Sequence, residues 1–439
     1  MEKRVCIIGA GSSGIAACKV LQDEGIPFDC YEKGSDIGGN WRYMNDNGMS
    51  SAYRSLHINT SKEVMAFSDF SMPEDYPDYP SHFQIYEYFR RYVEHFGFRD
   101  KIRFRTGVER VEKIADNHYR VYLQDGRVHD YSAVLVASGH HWKARYPDFP
   151  GTFTGLCMHA HDYKEPDIFL GNKNVVVVGF GNSAVDIACE AARYTTGQVW
   201  ISSRRGAHVL PKYIVGIPFD TLNKYSVEWL PLSMQRALLS FFLWIARGKQ
   251  ERYGIPQSDK PLLSEHPTIS QDLFNLAGHG RIRFKPIIQE LQGNRILFSD
   301  GSSEQVDVLI YATGYKISFP FFDKNFLYVE EDNRLRLYKH VIHPEHKGLY
   351  FIGFIQPLGA VMPLAEQQAI WVAKLLKGDC KLPDKASMYR DIERYEQQLR
   401  RRYKESPRHT IQVDFYPYKR DIKKLIKQGA HQPVSVAIF

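Results

Sequence analysis

The sequence predicts an α/β protein with two dinucleotide-binding, Rossmann-like domains. Two glycine-rich turns, at residues 9–14 and 179–184, each follow a short apolar strand and open a helix, and each unit then returns to a second strand. This order of strand, turn, helix and strand is typical of open parallel sheets with helices on both faces. A chain of 439 residues is long enough for two such domains.

The first unit follows the apolar run Arg4–Ile8 and has the turn pattern GxGxxG. Gly9 permits the tight bend, Gly11 lets a pyrophosphate approach the backbone, and Gly14 lets the helix pack on the strand. Glu32 ends the next strand, where a carboxylate can accept a hydrogen bond from a ribose hydroxyl. The unit predicts FAD or NAD, which both carry a free 2′-hydroxyl. The predicted binding residues of the turn are Gly9, Ala10, Gly11, Ser12, Ser13 and Gly14.

The second unit repeats this plan after the strand Val175–Val178, but its next strand leads into Arg204 and Arg205 instead of an acid. A carboxylate would repel a 2′-phosphate, whereas a guanidinium group binds a phosphate through paired hydrogen bonds. We therefore predict NADPH at this turn, with an exposed strand end of no function as the alternative. The predicted binding residues are Gly179, Gly181, Asn182, Ser183, Ala184, Arg204 and Arg205.

Two other apolar strands, at residues 133–136 and 308–311, end in small residues and are predicted to reach the edge of a nucleotide site. We interpret the later strand as support for a flavin. Two tightly held nicotinamides would have no obvious chemistry together, so we expect FAD at the first turn and electron transfer to it from NADPH. The chain order then indicates an NADPH domain (161–304) inserted into an FAD domain (1–160 and 305–439), which ends in a helical tail.

The cysteines limit where the electrons can go. Six cysteines form no CxxC or CxxxxC pair, which argues against a disulfide reductase and leaves oxygen, a protein carrier or a quinone as the acceptor. Most of them lie in apolar patterns and are predicted to be reduced core thiols, as is typical of a cytoplasmic protein. The histidines and carboxylates show no metal-ligand spacing, so no metal is expected.

Composition and charge favour a soluble enzyme. Apolar residues make up 44% and charged residues 24% of the chain. The start of the chain does not resemble a signal peptide. The apolar stretch 237–246 is too short to cross a membrane, and so is the apolar end at 434–439. An internal buried helix is the favoured interpretation of 237–246, with a substrate channel or a membrane contact as alternatives. The net charge of +7 is concentrated between residues 389 and 427, where interleaved acids favour a solvated helix over nucleic-acid binding.

Residues 153–163, from Phe153 to Tyr163, fit the pattern FxGxxxHxxxY, and on this motif the chain resembles the flavin-containing monooxygenases. The resemblance covers most of the chain. It includes Gly38-Gly39-Asn40-Trp41, the segment 55–63, Gly181-Asn182-Ser183, 203–206, Ala312-Thr313-Gly314-Tyr315, Gln356-Pro357 and 366–369.

The resemblance implies an NADPH-dependent FAD monooxygenase that oxygenates a small amine or sulfide with O₂ through a flavin C4a-hydroperoxide. Asn59 matches the family asparagine between flavin and nicotinamide and is the expected catalytic residue; a turn cap before Ser61 is its alternative. His159 is expected to position the nicotinamide half rather than to transfer protons. The other residues assigned to cofactor binding are Gly39, Asn40, Trp41, Ile58, Thr60, Val108 and Gln356.

Several functions stay open beside this one. Baeyer–Villiger oxidation of ketones is the nearest, although Tyr163-Lys164 differs from the Trp that usually ends that group's motif. A dedicated N-hydroxylase or indole oxygenase is a second, and a redox sensor or carrier reductase on the same scaffold is a third. Dimers are common among enzymes of this size, so a homodimer is also an open expectation.

Overall fold

The computed structural model describes residues 3–222, 230–402 and 410–430. The apolar end of the chain at 434–439 therefore lies outside the described residues. The chain divides into two compact units. The first consists of Met1–Ala52, Thr60–Lys143 and Lys316–Phe439, and the second of Tyr53–Asn59 and Ala144–Tyr315.

The helices follow the predicted plan, with one helix directly after each glycine turn. The helices are α1 Ser12–Asp23, α2 Lys62–Met65, α3 His82–Phe96, α4 Asn182–Tyr194, α5 Phe219–Leu222, α6 Leu232–Arg247, α7 Asp272–Gly278, α8 Met362–Lys377, α9 Lys385–Arg402 and α10 Phe415–Ala430. Short 3-10 turns lie at Gly39–Trp41, Arg99–Lys101, Pro166–Phe169 and Gln250–Tyr253.

The strands are short. They are β1 Val5–Ile8, β2 Phe28–Tyr31, β3 Ile102–Arg103, β4 Val108–Ala115, β5 His118–Leu123, β6 Val128–Tyr131, β7 Ala133–Val136, β8 Lys143–Ala144, β9 Gly151–Phe153, β10 Leu156–His159, β11 Val175–Val178, β12 Val199–Ser202, β13 Val209–Leu210, β14 Tyr213–Ile214, β15 Ile217–Pro218, β16 Thr268–Ile269, β17 Ile282–Lys285, β18 Ile288–Gly293, β19 Arg295–Phe298, β20 Ser303–Gln305, β21 Val308–Tyr311, β22 Tyr315–Lys316, β23 Leu349–Phe351, β24 Gln356–Leu358 and β25 Gln412–Asp414.

The first unit contains a parallel sheet in the order β23-β7-β1-β2-β3. All residues of β1 and β7 are buried, which explains why their sequences are uninterrupted apolar runs rather than alternating ones. The order reverses between β1 and β7, and ligands of such sheets bind at this switch point. Strand β23 comes from the last third of the chain, so the sheet is assembled from both ends, as predicted.

The second unit contains a parallel sheet in the order β10-β21-β11-β12-β17, and its order reverses between β11 and β21. The interpretation of residues 308–311 as part of the flavin domain is therefore wrong. Strand β21 pairs with β10 on one side and with β11 on the other. The apolar pattern predicts a buried strand correctly but does not say which sheet accepts its hydrogen bonds.

The same pairing moves the boundaries of the inserted part. Because β10 and β21 both join the second sheet, the chain passes between units at residues 143/144 and 315/316 rather than at 160/161 and 304/305. The segment Tyr53–Asn59 also belongs to the second unit, although it lies within the stretch that was predicted to be wholly part of the first domain.

Helix α6 corresponds to the apolar stretch 237–246, and the expectation of a buried internal helix is wrong for most of it. Leu243 is buried against Leu210 and Ile214. By contrast Leu238, Phe241, Phe242, Trp244 and Ile245 are exposed. Only one stripe of the helix packs because a helix presents a single face to its support. Among the described residues, the helices are all too short or too polar to span a bilayer.

Candidate functional site

The glycine turn of the first unit is fixed by backbone contacts that leave no room for side chains at two positions. Gly9 has φ +97°, a left-handed conformation that favours glycine. A Cβ on Gly14 would lie 1.9 Å from the carbonyl oxygen of Gly9. Helix α1 therefore packs directly against the backbone at the end of β1, and both glycines are required by the protein itself.

Gly11 is different, because a Cβ there would meet only the backbone of Gly39, whose Cα would lie at an ordinary 3.6 Å. Gly11 is the residue before α1. Because it has no side chain, it does not cap the first N–H groups of that helix. Nothing in the chain requires a glycine here, whereas a phosphate that contacts the backbone would. The turn thus fits the pyrophosphate of a dinucleotide.

Glu32 is buried and holds the turn together. Its Oε2 accepts the Ala10 N–H at 2.8 Å, and its Oε1 accepts the Gly34 N–H at 2.7 Å. Asn47 Nδ2 also donates to Oε1, at 3.0 Å. A carboxylate offers about four acceptor positions. Glu32 therefore retains one on Oε2 that can receive a ribose hydroxyl, beside the N–H groups that it fixes.

The segment Gly39–Trp41 lies directly on the same turn. The Gly38 N–H donates to Ala10 O at 3.0 Å, and a Cβ on Gly39 would lie 2.9 Å from Gly11 Cα. The Asn40 amide oxygen accepts the Ser51 N–H at 2.8 Å. The side-chain oxygen of Asn40 is therefore engaged in a hydrogen bond within the protein. Trp41, the next residue, is half-buried.

The other predicted residues of the first unit lie at its strand ends. Val108 begins β4, two residues after Thr106, whose N–H donates to Glu32 O at 2.9 Å. Ser13 Oγ lies against Gly353, where a Cβ would be 2.0 Å away. Gln356 begins β24 and pairs with Gln412. Ser13 thus lies at the start of α1, Val108 follows a residue that is bonded to Glu32, and Gln356 lies on a separate pair of strands; the assignment of all three to one site stays a prediction.

The glycine turn of the second unit has the same topology but differs at its last position. Gly179 has φ +125°, and a Cβ there would lie 2.5 Å from Ala312 O, at the end of β21. Ala184 occupies the position that Gly14 has in the first unit. Asn182 Oδ1 accepts the Ile269 N–H at 2.7 Å, so its carbonyl is used within the unit and its NH₂ group faces away from that bond.

Arg204 and Arg205 follow β12, which neighbours β11 in the sheet, and both are exposed. Neither guanidinium group forms an ion pair with any residue that the structure describes. Ser203 Oγ donates to Arg205 O at 2.9 Å and shapes this bend. The pair of cations stands where Glu32 stands in the first unit, which fits a nucleotide with an additional phosphate.

Asn59 is half-buried at the end of the segment Tyr53–Asn59. Ile58 before it is buried, and its carbonyl oxygen accepts a hydrogen bond from Lys212 Nζ at 3.3 Å. Burial lowers the pKa of Lys212. Thr60 follows Asn59 in the chain and is half-buried. It begins the stretch Thr60–Lys143, which belongs to the first unit.

The motif at residues 153–163 contacts other segments of the second unit. A Cβ on Gly155 would lie 2.6 Å from Asp307 O, so this position requires glycine. His159 is buried, and its Nδ1 accepts the His161 N–H at 3.0 Å. Burial lowers the pKa of His159 to about 4, which keeps the ring neutral at physiological pH. Tyr163 donates to Glu190 Oε2 of α4 at 2.5 Å.

Some residues of these sites have no signal in the sequence pattern. Asn47 and Asn45 support Glu32 and Gly39, and only the asparagine-rich run that contains them could have indicated this. Tyr53 donates to Asp186 Oδ2 on α4 at 2.7 Å across 133 positions of the chain. Such a long-range pair cannot be read from spacing.

Two switch-point turns, one beside a carboxylate and one beside two arginines, define an α/β oxidoreductase that binds two dinucleotides. The model of the family described as flavin-binding monooxygenase-like matches residues 2–436. The chain belongs to this family, and it is an enzyme whose cofactors are FAD and NADPH.

Among curated relatives, flavin-containing monooxygenase 5 of Oryctolagus cuniculus is 38% identical over 97% of this chain and 83% of its own length. Dimethylaniline monooxygenase [N-oxide-forming] 2 of Mus musculus is 35% identical over 100% of this chain and 85% of its own. The solved structure of S-allyl-L-cysteine S-oxygenase from Allium sativum is 27% identical, with a TM-score of 0.72 over 97% of this chain and 88% of that one. OTEMO in complex with FAD and NADP shares the fold, with a TM-score of 0.73 over 97% of this chain and 98% of that one, at 18% identity.

Proposed function

We propose that this enzyme uses NADPH and O₂ to oxygenate a nucleophilic nitrogen or sulfur atom of a small molecule. NADPH supplies two electrons as a hydride and becomes NADP⁺, one oxygen atom of O₂ joins the substrate, and the other leaves as water together with the hydride hydrogen and one proton from the solvent. Support comes from a relative whose name specifies N-oxide formation and a structural relative that is named as an S-oxygenase. The observation that carries the proposal is the opposite charge beside the two turns, at Glu32 and at Arg204 and Arg205.

The proposed division of labour follows the two units. The first unit holds FAD, with the pyrophosphate on the turn 9–14 and a ribose hydroxyl on the open lone pair of Glu32. The second unit, which is inserted in sequence into the first, holds NADPH with its 2′-phosphate on Arg204 and Arg205. When bound, FAD supplies the oxygen-activating chemistry that no protein side chain provides.

The protein's own groups bind the two cofactors, orient them and form the hydrogen bonds around them. The helix starts of α1 and α4 direct N–H groups toward the two pyrophosphates. Asn40 fixes Ser51 and thereby the backbone beside Trp41, which we assign to the flavin side. The neutral ring of His159 accepts a backbone N–H, so its proposed role is to position the 159–161 bend and not to transfer protons.

Asn59 is the proposed catalytic residue. Its amide can donate and accept at once, which suits a group that keeps an oxygenating site in place. Asn59→Ala should lower the rate of product formation roughly 100-fold and raise peroxide release per NADPH oxidised. Asn294→Ala, an exposed position in the second unit, is the control and should change neither. Unchanged coupling in Asn59→Ala would remove Asn59 from the mechanism.

The proposal is tested by product analysis of the purified flavoprotein with NADPH, O₂ and four probes: trimethylamine, a thioether, a cyclic ketone and an indole. N-oxide or sulfoxide formation with matching NADPH consumption is expected. Exclusive ester or lactone formation would replace the proposal by Baeyer–Villiger oxidation. NADPH consumption that yields only peroxide with every probe, an indole included, would favour a reductase or sensor.

A further inference from the structure

Helix α4 carries two carboxylates, Asp186 and Glu190, four residues apart and therefore on one face. Each accepts a hydrogen bond from a tyrosine of a different segment. Tyr53 donates to Asp186 at 2.7 Å and Tyr163 donates to Glu190 at 2.5 Å. The two tyrosine rings are also in contact, with centroids 5.8 Å apart. One helix face thus holds the start of the Asn59 segment and the end of the 153–163 motif.

The Asn59 segment is held at both ends within the second unit. Tyr53 at its start is bound to Asp186, and the Ile58 carbonyl at its end is bound to Lys212. Tyr53 is 4% exposed, and Arg54 between these points donates its N–H to Lys164 O at 2.9 Å. The position of Asn59 therefore depends on contacts that lie well away from its own side chain.

Helix α4 begins at the second glycine turn, where Gly181 precedes its first residue, Asn182. Asp186 lies about one turn further along the helix. A helix moves as a rigid body over one turn, so a nucleotide phosphate that fixes the start of α4 also fixes the Asp186 carboxylate. The same helix thus links the proposed NADPH turn to the Asn59 segment through a single side-chain contact.

A half-buried carboxylate is a costly means of holding a tyrosine if packing alone were needed, since an apolar pair of similar volume fills such a site at least as well. Its advantage is direction, because the hydrogen bond sets one position of the Tyr53 hydroxyl. Burial raises the pKa of Asp186 to about 6. The charged or titratable groups that face it are Tyr53, Lys212, Glu190 and Asp272, and Asp272 is paired with Arg193 at 2.6 Å.

We propose that Asp186 is a positioning residue that fixes Asn59, through Tyr53, to the helix that starts at the NADPH turn. Binding of NADP⁺ at that turn and ordering of the segment 53–59 are then coupled. The inference rests on the proposed function for the role of Asn59, but the coupling itself is a property of the chain.

The first test needs no turnover. Hydrogen–deuterium exchange of the peptide 53–59 is measured in the FAD-loaded protein with and without NADP⁺. In the native enzyme NADP⁺ should slow this exchange. In Asp186→Asn and Tyr53→Phe the exchange should be roughly tenfold faster, and NADP⁺ should protect the peptide less. Tyr163→Phe removes the equivalent bond to Glu190 and is the matched control, with 53–59 unchanged.

Tyr53→Phe decides the matter if Asp186→Asn does not fold, because it removes one hydroxyl and keeps the ring. Exchange in 53–59 that is unaltered by Tyr53→Phe, or altered equally by Tyr163→Phe, overturns the proposal.

The second test uses the reaction. Loss of positioning should raise peroxide release per NADPH several-fold while the KM for NADPH stays within about twofold of the native value. The folded carboxyl group is ionised above its pKa of about 6 and accepts most strongly then. In the native enzyme, the fraction of NADPH oxidation that yields oxygenated product should therefore fall as the pH falls through 6. Asp186→Asn should lack this pH-dependent step. A native enzyme without oxygenated product refutes the proposed function alone, whereas a pH step retained in Asp186→Asn refutes the positioning role.

Discussion

The two glycine turns share their topology but differ in how closely helix and strand approach. In the first unit a Cβ at Gly14 would lie 1.9 Å from a backbone oxygen, whereas in the second unit Ala184 occupies this position. The first turn is also bonded to its own acid, since Ala10 donates to the buried Glu32. The second turn has exposed arginines instead.

The difference indicates two kinds of nucleotide site. A turn that is bonded to a buried acid suits a cofactor that stays bound through every cycle. A turn with exposed arginines beside it suits a nucleotide that enters as one species and leaves as another, because exposed charges attract and release a phosphate without a large desolvation cost. The proposed assignment of FAD to the first turn and NADPH to the second agrees with this contrast.

The largest effect is expected at the last position of each turn, where the first unit has Gly14 and the second has Ala184. Gly14→Ala should lower the stability by about 3 kcal/mol and release the flavin, because the methyl group collides with a backbone that cannot move aside. Ala184→Gly should cost only about 1 kcal/mol, the usual helix penalty of glycine. The flavin absorbance per protein and the Tm of each variant measure this. Full flavin retention in Gly14→Ala would mean that the two turns do not differ as described.

A smaller effect is expected at the acid of the first turn. Glu32→Gln keeps the shape, but its NH₂ group must face either the Ala10 N–H or the Gly34 N–H, so one donor loses its acceptor. The Kd for FAD should rise roughly 10- to 100-fold. Titration of the apoprotein with FAD measures the change, with the exposed Glu109→Gln as control. Equal affinities in the two variants would show that Glu32 does not organise the site.

An effect of the same size, but confined to one nucleotide, concerns discrimination at the second turn. Arg204→Ala combined with Arg205→Ala should raise the KM for NADPH roughly 10- to 100-fold, since a charge-assisted phosphate contact is worth about 1.5–3 kcal/mol. The KM for NADH should be unchanged because that nucleotide has no 2′-phosphate. Arg193→Ala, toward the other end of α4, controls for a general loss of positive charge. A parallel rise in both KM values would place the phosphate elsewhere.

Much of the fold was predictable from local pattern. The strands that precede both turns, the helices that follow them and the next strand of each unit lie where the sequence indicates, at β1, α1, β2, β11, α4 and β12. These elements are continuous in sequence, and their apolar runs and glycines act within a few residues. The family motif was likewise readable, and the family assignment that followed from it is confirmed.

Pairing over long distances was not predictable. The pattern at 308–314 resembles that at 133–139, yet β21 borders the second turn through Ala312, while β7 borders the first through Ala137. Helix α6 has enough apolar residues to be buried, but only one stripe of it meets a supporting surface. In both cases the local sequence is equally compatible with either outcome.

The amino-acid sequence by itself determined two switch-point turns and the opposite charges beside them, because turn conformation and ribose partner are encoded within about 25 residues of one another. Only the tertiary structure decided which strand completes each sheet, and only it joined Tyr53 to Asp186 and Tyr163 to Glu190. Those hydrogen bonds depend on which segments pack against each other in the folded unit. A hydroxyl or carboxylate acquires a fixed hydrogen-bond partner only when folding has removed it from water.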